Sequence, residues 1–480
     1  MMRDKLVSYS IDFEIPSSYM GNLLDFIYQK YLLPQEKGFA DISRTNTDGY
    51  PSLAFTVLDK SRVQSLAVVV KGGKPIELSI KLLNEAVPEE AITQVRQDIL
   101  IAVELFEEKV RENTLFFAWR EGEEIVPEEI SGKEKKSINR MLLETQVLLF
   151  IVFISLGLFL FPIMGMYAPL VLMAIQFVIV LYSNKLIERT ADWRITEDNP
   201  TIHLLEYDLP FEEREHFKES YPRERIAEIK KEVYEQTIVK KGEVDCETVQ
   251  QVFKKFGLEC ARENLSAKKL NVYELVKKVA QKFGFPMPKI VVSNTLIPNA
   301  AASGPSPSRG VVLITTGLLV HLKEDEIISV LGHEFGHLKG RDPLLLFGLM
   351  GSEFLLRFYV LLPFFPIVFS SLLLFLVYFW AIMTLLYFIA KFFEARADLL
   401  SAIVIGQPQV LAKALEEIGF KRLLSERLPS YRIQEWLSFD PHPPIYFRVN
   451  RLRKIESEVR IKHPLFQSAK DVSKGFIDSM

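Results

Sequence analysis

The run His333-Glu334-Phe335-Gly336-His337 holds the residues whose types and spacing bear most directly on chemistry. On a helix, side chains at i and i+4 leave the same face, so His333 and His337 reach a single metal ion. Glu334 projects roughly 100° round from His333, which suits it to a water beside the metal better than to the metal itself. A carboxylate beside two imidazoles on one helix is the arrangement of a metal-assisted hydrolase. A catalytic zinc normally takes three protein ligands and a water, so two histidines leave the set one short.

The elements that must position this cluster are a helix expected at 324–339, with Gly340 as its stop, and a strand at 311–316 leading into it through Gly317. That strand is either an edge, where an extended peptide pairs through main-chain hydrogen bonds, or an ordinary interior strand. Downstream, residues 344–390 form an apolar block with a turn near Pro363 to Pro366, long enough for two membrane spans. Such a hairpin returns the chain to the surface it left. His337 before the block and Glu394 just after it then lie on the same side, which makes Glu394 the best third ligand. Asp398, one helical turn beyond Glu394, is placed to hydrogen-bond a ligand histidine.

Residues 147–163 and 166–182 are uncharged and pair as an earlier hairpin about Gly165. Basic residues flank both hairpins on one side only. Lys133, Lys135, Lys136 and Arg140 precede the first, and Lys185, Arg189 and Arg194 follow it. Lys339 and Arg341 precede the second, and Lys391 and Arg396 follow it, while both turns are uncharged. This pattern predicts a multi-pass plasma-membrane protein whose hydrophilic segments, active site and both termini face the cytoplasm. No signal peptide is expected, because the first apolar run starts far from Met1. The expected architecture is a mainly α membrane protein: about four transmembrane helices in two hairpins, a cytoplasmic α+β catalytic domain and a separate N-terminal α+β domain.

The expected domains are 1–138 (accessory), 141–183 (first hairpin), 184–343 (catalytic region), 344–390 (second hairpin) and 391–480 (remainder of the catalytic domain). In the accessory domain, strands at 6–15, 52–58, 65–70 and 76–82 precede a long helix at 88–112. It carries no catalytic constellation and docks an unidentified partner or senses a ligand, if its charges are more than a solvated face. The charged stretch 201–263 reads as helical at 224–235 and 247–256. His203, His216, His321 and His463 read as surface or structural. Cys246 and Cys260 fit a reducing compartment and give no metal spacing. With 49% hydrophobic residues and 35 Phe among 480 the chain points to the bilayer, and although a net charge of −3 says nothing about nucleic acid, the basic residues cluster at membrane edges and no nucleic-acid partner is expected.

HEFGHLKGRD, EARAD, Asp440-Pro-His442-Pro-Pro444 with Arg448, Pro298-Asn299-Ala300 and Thr315-Thr-Gly-Leu-Leu319 together resemble the integral-membrane zinc metallopeptidases that include the HtpX heat-shock protease and the CAAX prenyl protease. The resemblance covers about 191–453. It implies a zincin-like catalytic domain with Zn2+ held by His333, His337 and Glu394. It also implies Glu334 as general base, His442 as oxyanion stabiliser with Arg448 nearby, and Asn299 at a position that contacts substrate backbone. Asp342, which closes HEFGHLKGRD, joins Asp398, Arg448 and Asn299 as a supporting or substrate-binding candidate. Two departures stand out: about 140 residues precede the first hairpin, and Asp440-Pro441 stands where Ser or Thr is commoner.

The resemblance implies a zinc endopeptidase that cleaves cytoplasm-accessible segments of misfolded or membrane proteins, with peptide bound extended along an edge strand. A processing protease of CAAX type and a non-enzymatic membrane adaptor are the alternatives, and an intact Glu334 argues against the latter. Glu353 and Arg357 sit one turn apart inside the apolar block, either lining a wet groove or neutralising each other. Residues 303–310 or 201–263 are candidates for a lid.

Overall fold

The computed structural model describes residues 6–11, 19–47, 49–59, 62–84, 87–111, 114–122, 146–209, 217, 220–258, 260–426, 429–455 and 463–480. Lys133, Lys135, Lys136, Arg140, the expected domain end at 138 and His216 lie outside them. The chain divides into two compact units, one of residues 1–117, 205–229 and 245–267, the other of 118–204, 230–244 and 268–480.

The first unit contains an antiparallel five-stranded sheet in the order β1-β5-β4-β3-β2: β1 (Leu6–Ile11), β2 (Phe39–Thr47), β3 (Tyr50–Leu58), β4 (Gln64–Lys71) and β5 (Ile76–Leu82). Alternation builds it. Leu66, Val68 and Val70 of β4, and Ile76, Leu78 and Ile80 of β5, are buried on one face, while their neighbours are more exposed. The helices Met20–Ile27 and Glu89–Arg111 contribute to the same core, the second through Ile92, Val95, Ile99, Val103, Phe106 and Val110 at helical spacing. Neither β2 nor the helix Met20–Ile27 was expected. β2 fully buries only Phe39 and is polar from Ser43 onward, so it carries little hydrophobic signal.

Three strands, β6 (Thr114–Arg120), β8 (Thr201–Asp208) and β9 (Leu265–Asn271), form a sheet in the order β6-β8-β9. β8 is a strand at the start of the charged stretch 201–263 that was not expected, whereas the two helices expected in that stretch are found at Arg223–Tyr234 and Cys246–Lys255. His203 on β8 is buried with neither ring nitrogen paired, and burial pushes its pKa down to about 4. Both cysteines are free thiols.

The second unit carries a mixed sheet in the order β11-β12-β10-β7, built from β7 (Trp193–Ile195), β10 (Lys289–Ser293), β11 (Ala300–Ser303) and β12 (Val311–Thr315). β10 and β12 run parallel, and β11 is antiparallel to β12. β12 is therefore interior, and the edge is β11, a short Ala-rich strand. A helical turn, Thr316–His321, capped by Thr315 Oγ1 accepting from Leu318 N at 3.2 Å, leads on to the helix Glu324–Gly340. The residue that ends this helix in the left-handed region is Arg341 (φ 54°), not Gly340.

Among the described residues, three stretches are long and apolar enough to cross a bilayer: Phe153–Leu181, Asp342–Phe364 and Leu372–Ile405. The first is broken at Gly165 (φ 54°) and folds back, which brings Leu172 to within 3.8 Å of where a Cβ on Gly157 would sit. Glu353 is buried and receives Arg357 Nε at 2.9 Å and the Tyr378 hydroxyl at 2.6 Å. The pair is thus neutralised internally and tied to the neighbouring helix, and the wet-groove expectation is not needed to explain it.

Candidate metal centre

Two helices make the cluster, and glycines set their distance. A Cβ on Gly336 would lie 2.9 Å from Ala397 Cα, and one on Gly332 would lie 2.6 Å from Ser401 Oγ. One at Gly340 would collide with the Arg396 guanidinium. These residues recur every four positions along the helix Glu324–Gly340 and give it a smooth face, against which the helix Leu372–Ile405 lies closely enough for Glu394 to meet both histidines.

His333 Nε2 and His337 Nε2 lie 3.1 Å apart. The Glu394 carboxylate reaches both, with Oε2 3.4 Å from His333 Nε2 and Oε1 3.4 Å from His337 Nε2. Donors about 2.0–2.1 Å from a tetrahedral ion stand roughly 3.3 Å from one another, so these three spacings fit such an ion. The donor set and the burial of Glu394 Oε2 without a hydrogen-bond partner agree with that fit.

The outer ring nitrogens are held by carboxylates. His333 Nδ1 lies 2.9 Å from Asp398 Oδ1, and His337 Nδ1 lies 2.8 Å from Asp342 Oδ2. Each carboxylate is held in turn by an arginine. Arg448 makes a bidentate pair with Asp398 at 2.8 and 2.7 Å, and Arg396 pairs with Asp342. This leaves both Nε2 atoms facing the shared point and fixes both rings. Burial works to lower the pKa of His333, but the Asp398 carboxylate that accepts from the ring and the Glu394 carboxylate beside it outweigh that and raise the value to about 10. His337 is lowered by its burial and by His333 opposite.

Glu334 lies on the same helix. Its Oε2 accepts from Ala302 N at 3.0 Å, which ties it to the edge strand β11. His442 approaches from the loop after the helix Pro429–Leu437, with Nε2 3.6 Å from Glu394 Oε2 and Nδ1 2.7 Å from Asp440 Oδ1. Burial alone would raise the Asp440 pKa, but the His442 hydrogen bond and charge bring it down to about 2. Asn299 is exposed just before β11, its backbone N donating to Thr315 Oγ1 at 2.9 Å.

The profile of Peptidase family M48 matches residues 266–456. A protease HtpX homolog from Pyrococcus furiosus is 32% identical over 218 residues, spanning 40% of this chain and 75% of that protein. This chain belongs to peptidase family M48. One from Thermococcus sibiricus is also 32% identical, over 219 residues that cover 75% of its length. A third, from Thermodesulfovibrio yellowstonii, is 42% identical over 85 residues, and this chain spans only 30% of that relative. The crystal structure of S. mikatae Ste24p is similar at 20% identity with a TM-score of 0.33, covering 38% of this chain and 49% of that one.

The chain is thus an HtpX-like M48 membrane metallopeptidase with a cluster able to hold a metal ion. Its structure brings His333, Glu334, His337, Asp342, Glu394, Asp398, His442 and Arg448 to one place, with Asn299 at the entry to the edge strand. Sequence reasoning had placed Arg396 only among the basic residues flanking the second hairpin, and had given neither Asp440 nor the Ala302 N–H a role of its own at the site. Arg396 sits inside EARAD two residues after Glu394, and Asp440 opens DPHPP, so both were in view; nothing in the residue type marked Ala302.

Proposed function

We propose that this protein is a zinc-dependent endopeptidase that cleaves cytoplasm-accessible segments of misfolded or membrane proteins. The observation that carries the reading is the convergence of His333 Nε2, His337 Nε2 and Glu394 on one point beside Glu334. His333, His337 and Glu394 hold the ion. Zinc bound there supplies a Lewis acid that polarises the scissile carbonyl and lowers the pKa of a water toward about 7. Glu334 takes the proton from the attacking water and delivers it to the leaving amine as the C–N bond breaks, so one water is consumed per peptide bond. His442, oriented by Asp440, donates a hydrogen bond to the developing oxyanion. Asp398 with Arg448, and Asp342 with Arg396, hold the ligand rings.

The substrate lies extended along β11. The Ala302 N–H points away from β12 toward Glu334, so by strand alternation the N–H and C=O of Ala300 also face outward and are free to pair with a peptide backbone. Asn299 lies at the entry to that edge. Four spans in two hairpins, 141–183 and 344–390, place the catalytic segments 184–343 and 391–480 and both termini at the cytoplasmic face of the plasma membrane. Residues 1–138 serve as an accessory domain. The Gly165 fold-back and the flanking basic residues support this plan.

The reading is tested with the protein in liposomes, offered an unfolded casein-like substrate beside a prenylated CAAX peptide. Chelator-sensitive cleavage of the unfolded chain at several sites, restored by zinc, is the expected result. Processing of the CAAX peptide alone would replace quality control by dedicated processing.

A further inference from the structure

Lys391 is 0% exposed, although it sits where a membrane-edge lysine would be expected to reach water. Its stem runs inside the fold from the helix that carries Glu394, and its ammonium donates to two backbone carbonyls, those of Ser438 at 3.4 Å and Asp440. These carbonyls belong to the loop that ends in His442. The same loop is fastened by a second contact to the helix, Tyr387 stacking on Phe439 with ring centroids 5.9 Å apart. On its far side, Arg422 reaches Asp440 Oδ2 at 3.2 Å and Glu435 at 2.8 Å. Asp440 Oδ1 then accepts from the His442 backbone N at 2.8 Å and faces its Nδ1.

A buried ammonium costs several kcal/mol unless its donors are used, and here they are used on the loop rather than on a carboxylate. The carboxylates of Asp440, Glu435 and Glu394 lie near enough to favour the cation, but the ammonium's hydrogen bonds go to the two loop carbonyls. We propose that Lys391 is a positioning residue for His442: by clamping the Ser438 and Asp440 carbonyls to the Glu394 helix, it fixes the distance between the oxyanion-stabilising imidazole and the metal ligand. This rests on the reading of His442 given above. The reach of the clamp explains why Glu394 and His442, 48 positions apart in the chain, meet at 3.6 Å.

The test is a double-mutant cycle on purified full-length holoenzyme, with kcat, KM and zinc per chain measured for Lys391→Met, His442→Ala, the double variant and Lys391→Arg. Lys391→Met is expected to lower kcat about 10–100-fold with KM within about twofold and zinc unchanged, because misplacing one group by about an ångström is enough for that. Lys391→Arg, which keeps the donors, should recover most of the loss. The double variant should be no slower than His442→Ala, since a residue acting only through His442 has nothing left to position. Wild-type kcat in Lys391→Met, or losses that multiply in the double variant, would overturn the proposal. Wild-type kcat in His442→Ala would instead overturn the role of His442 on which it rests. Should Lys391→Met fail to accumulate, Lys391→Gln runs the same cycle, and loss of zinc in that variant also counts against a role confined to His442.

Discussion

Replacing Glu334 with Gln is expected to lower kcat for peptide cleavage by about 10²–10⁴-fold while the protein still binds its metal. The substitution keeps the shape of the side chain and its acceptor oxygen, so the hydrogen bond from Ala302 N at 3.0 Å survives and the edge strand stays in place. What is lost is the group that accepts the proton of the attacking water. Glu334 lies one residue from His333 but takes no part in the ligand cluster, so zinc content should not fall. Steady-state cleavage of a fluorogenic peptide, read beside metal analysis of the same sample, separates the two effects. Cleavage within tenfold of wild type would show that another group takes the proton.

The second large effect is expected at Arg448. Its guanidinium and the Asp398 carboxylate are both buried, at 5% and 1% exposure, and meet through two hydrogen bonds. Arg448→Met leaves the Asp398 charge inside the fold with only His333 to answer it, which costs about 3–5 kcal/mol. It also releases the ring of His333, and loss of such an outer partner weakens metal binding about 10–100-fold. The two consequences come apart in the double variant Arg448→Met with Asp398→Leu, which removes the uncompensated charge but not the need for an oriented ring. Thermal unfolding in detergent should show stability largely restored, whereas competition with a chromophoric chelator should show metal affinity still low. Wild-type metal affinity in Arg448→Met would mean that His333 is held without this pair.

What was legible in the sequence was whatever a local pattern or a membrane argument constrains. The metal helix begins at Glu324 as expected, and its end is displaced by one residue because Gly340 is needed for the passage of Arg396, leaving Arg341 to take the left-handed turn. Glu394 came from a topological argument, that an apolar hairpin would return the chain to the side it left, and its carboxylate does lie 3.4 Å from both His333 and His337. Pairings that join distant segments were not legible in detail. Asp398 with Arg448 and Lys391 with the Asp440 carbonyl span 50 and 49 positions, and no periodicity records them. Lys391 was counted among the basic residues that flank the second hairpin, whereas packing turns it inward and leaves it fully buried. The edge strand β11 was missed because four small residues, Ala300 to Ser303, have weak strand propensity and are extended by pairing with β12. β8, Thr201–Asp208, was passed over for another reason: it is a short apolar run at the start of a stretch that is otherwise strongly charged.

The most direct test of the central claim is the metal content of the detergent-purified protein by mass spectrometry, with Glu394→Ala and His337→Ala prepared in parallel. The account predicts about one zinc per chain in the wild type and its loss in both variants, together with chelator-sensitive activity. Zinc retained in Glu394→Ala would contradict it, because the third ligand would then lie elsewhere and the meeting of the two helices at His333, His337 and Glu394 would not be the metal site.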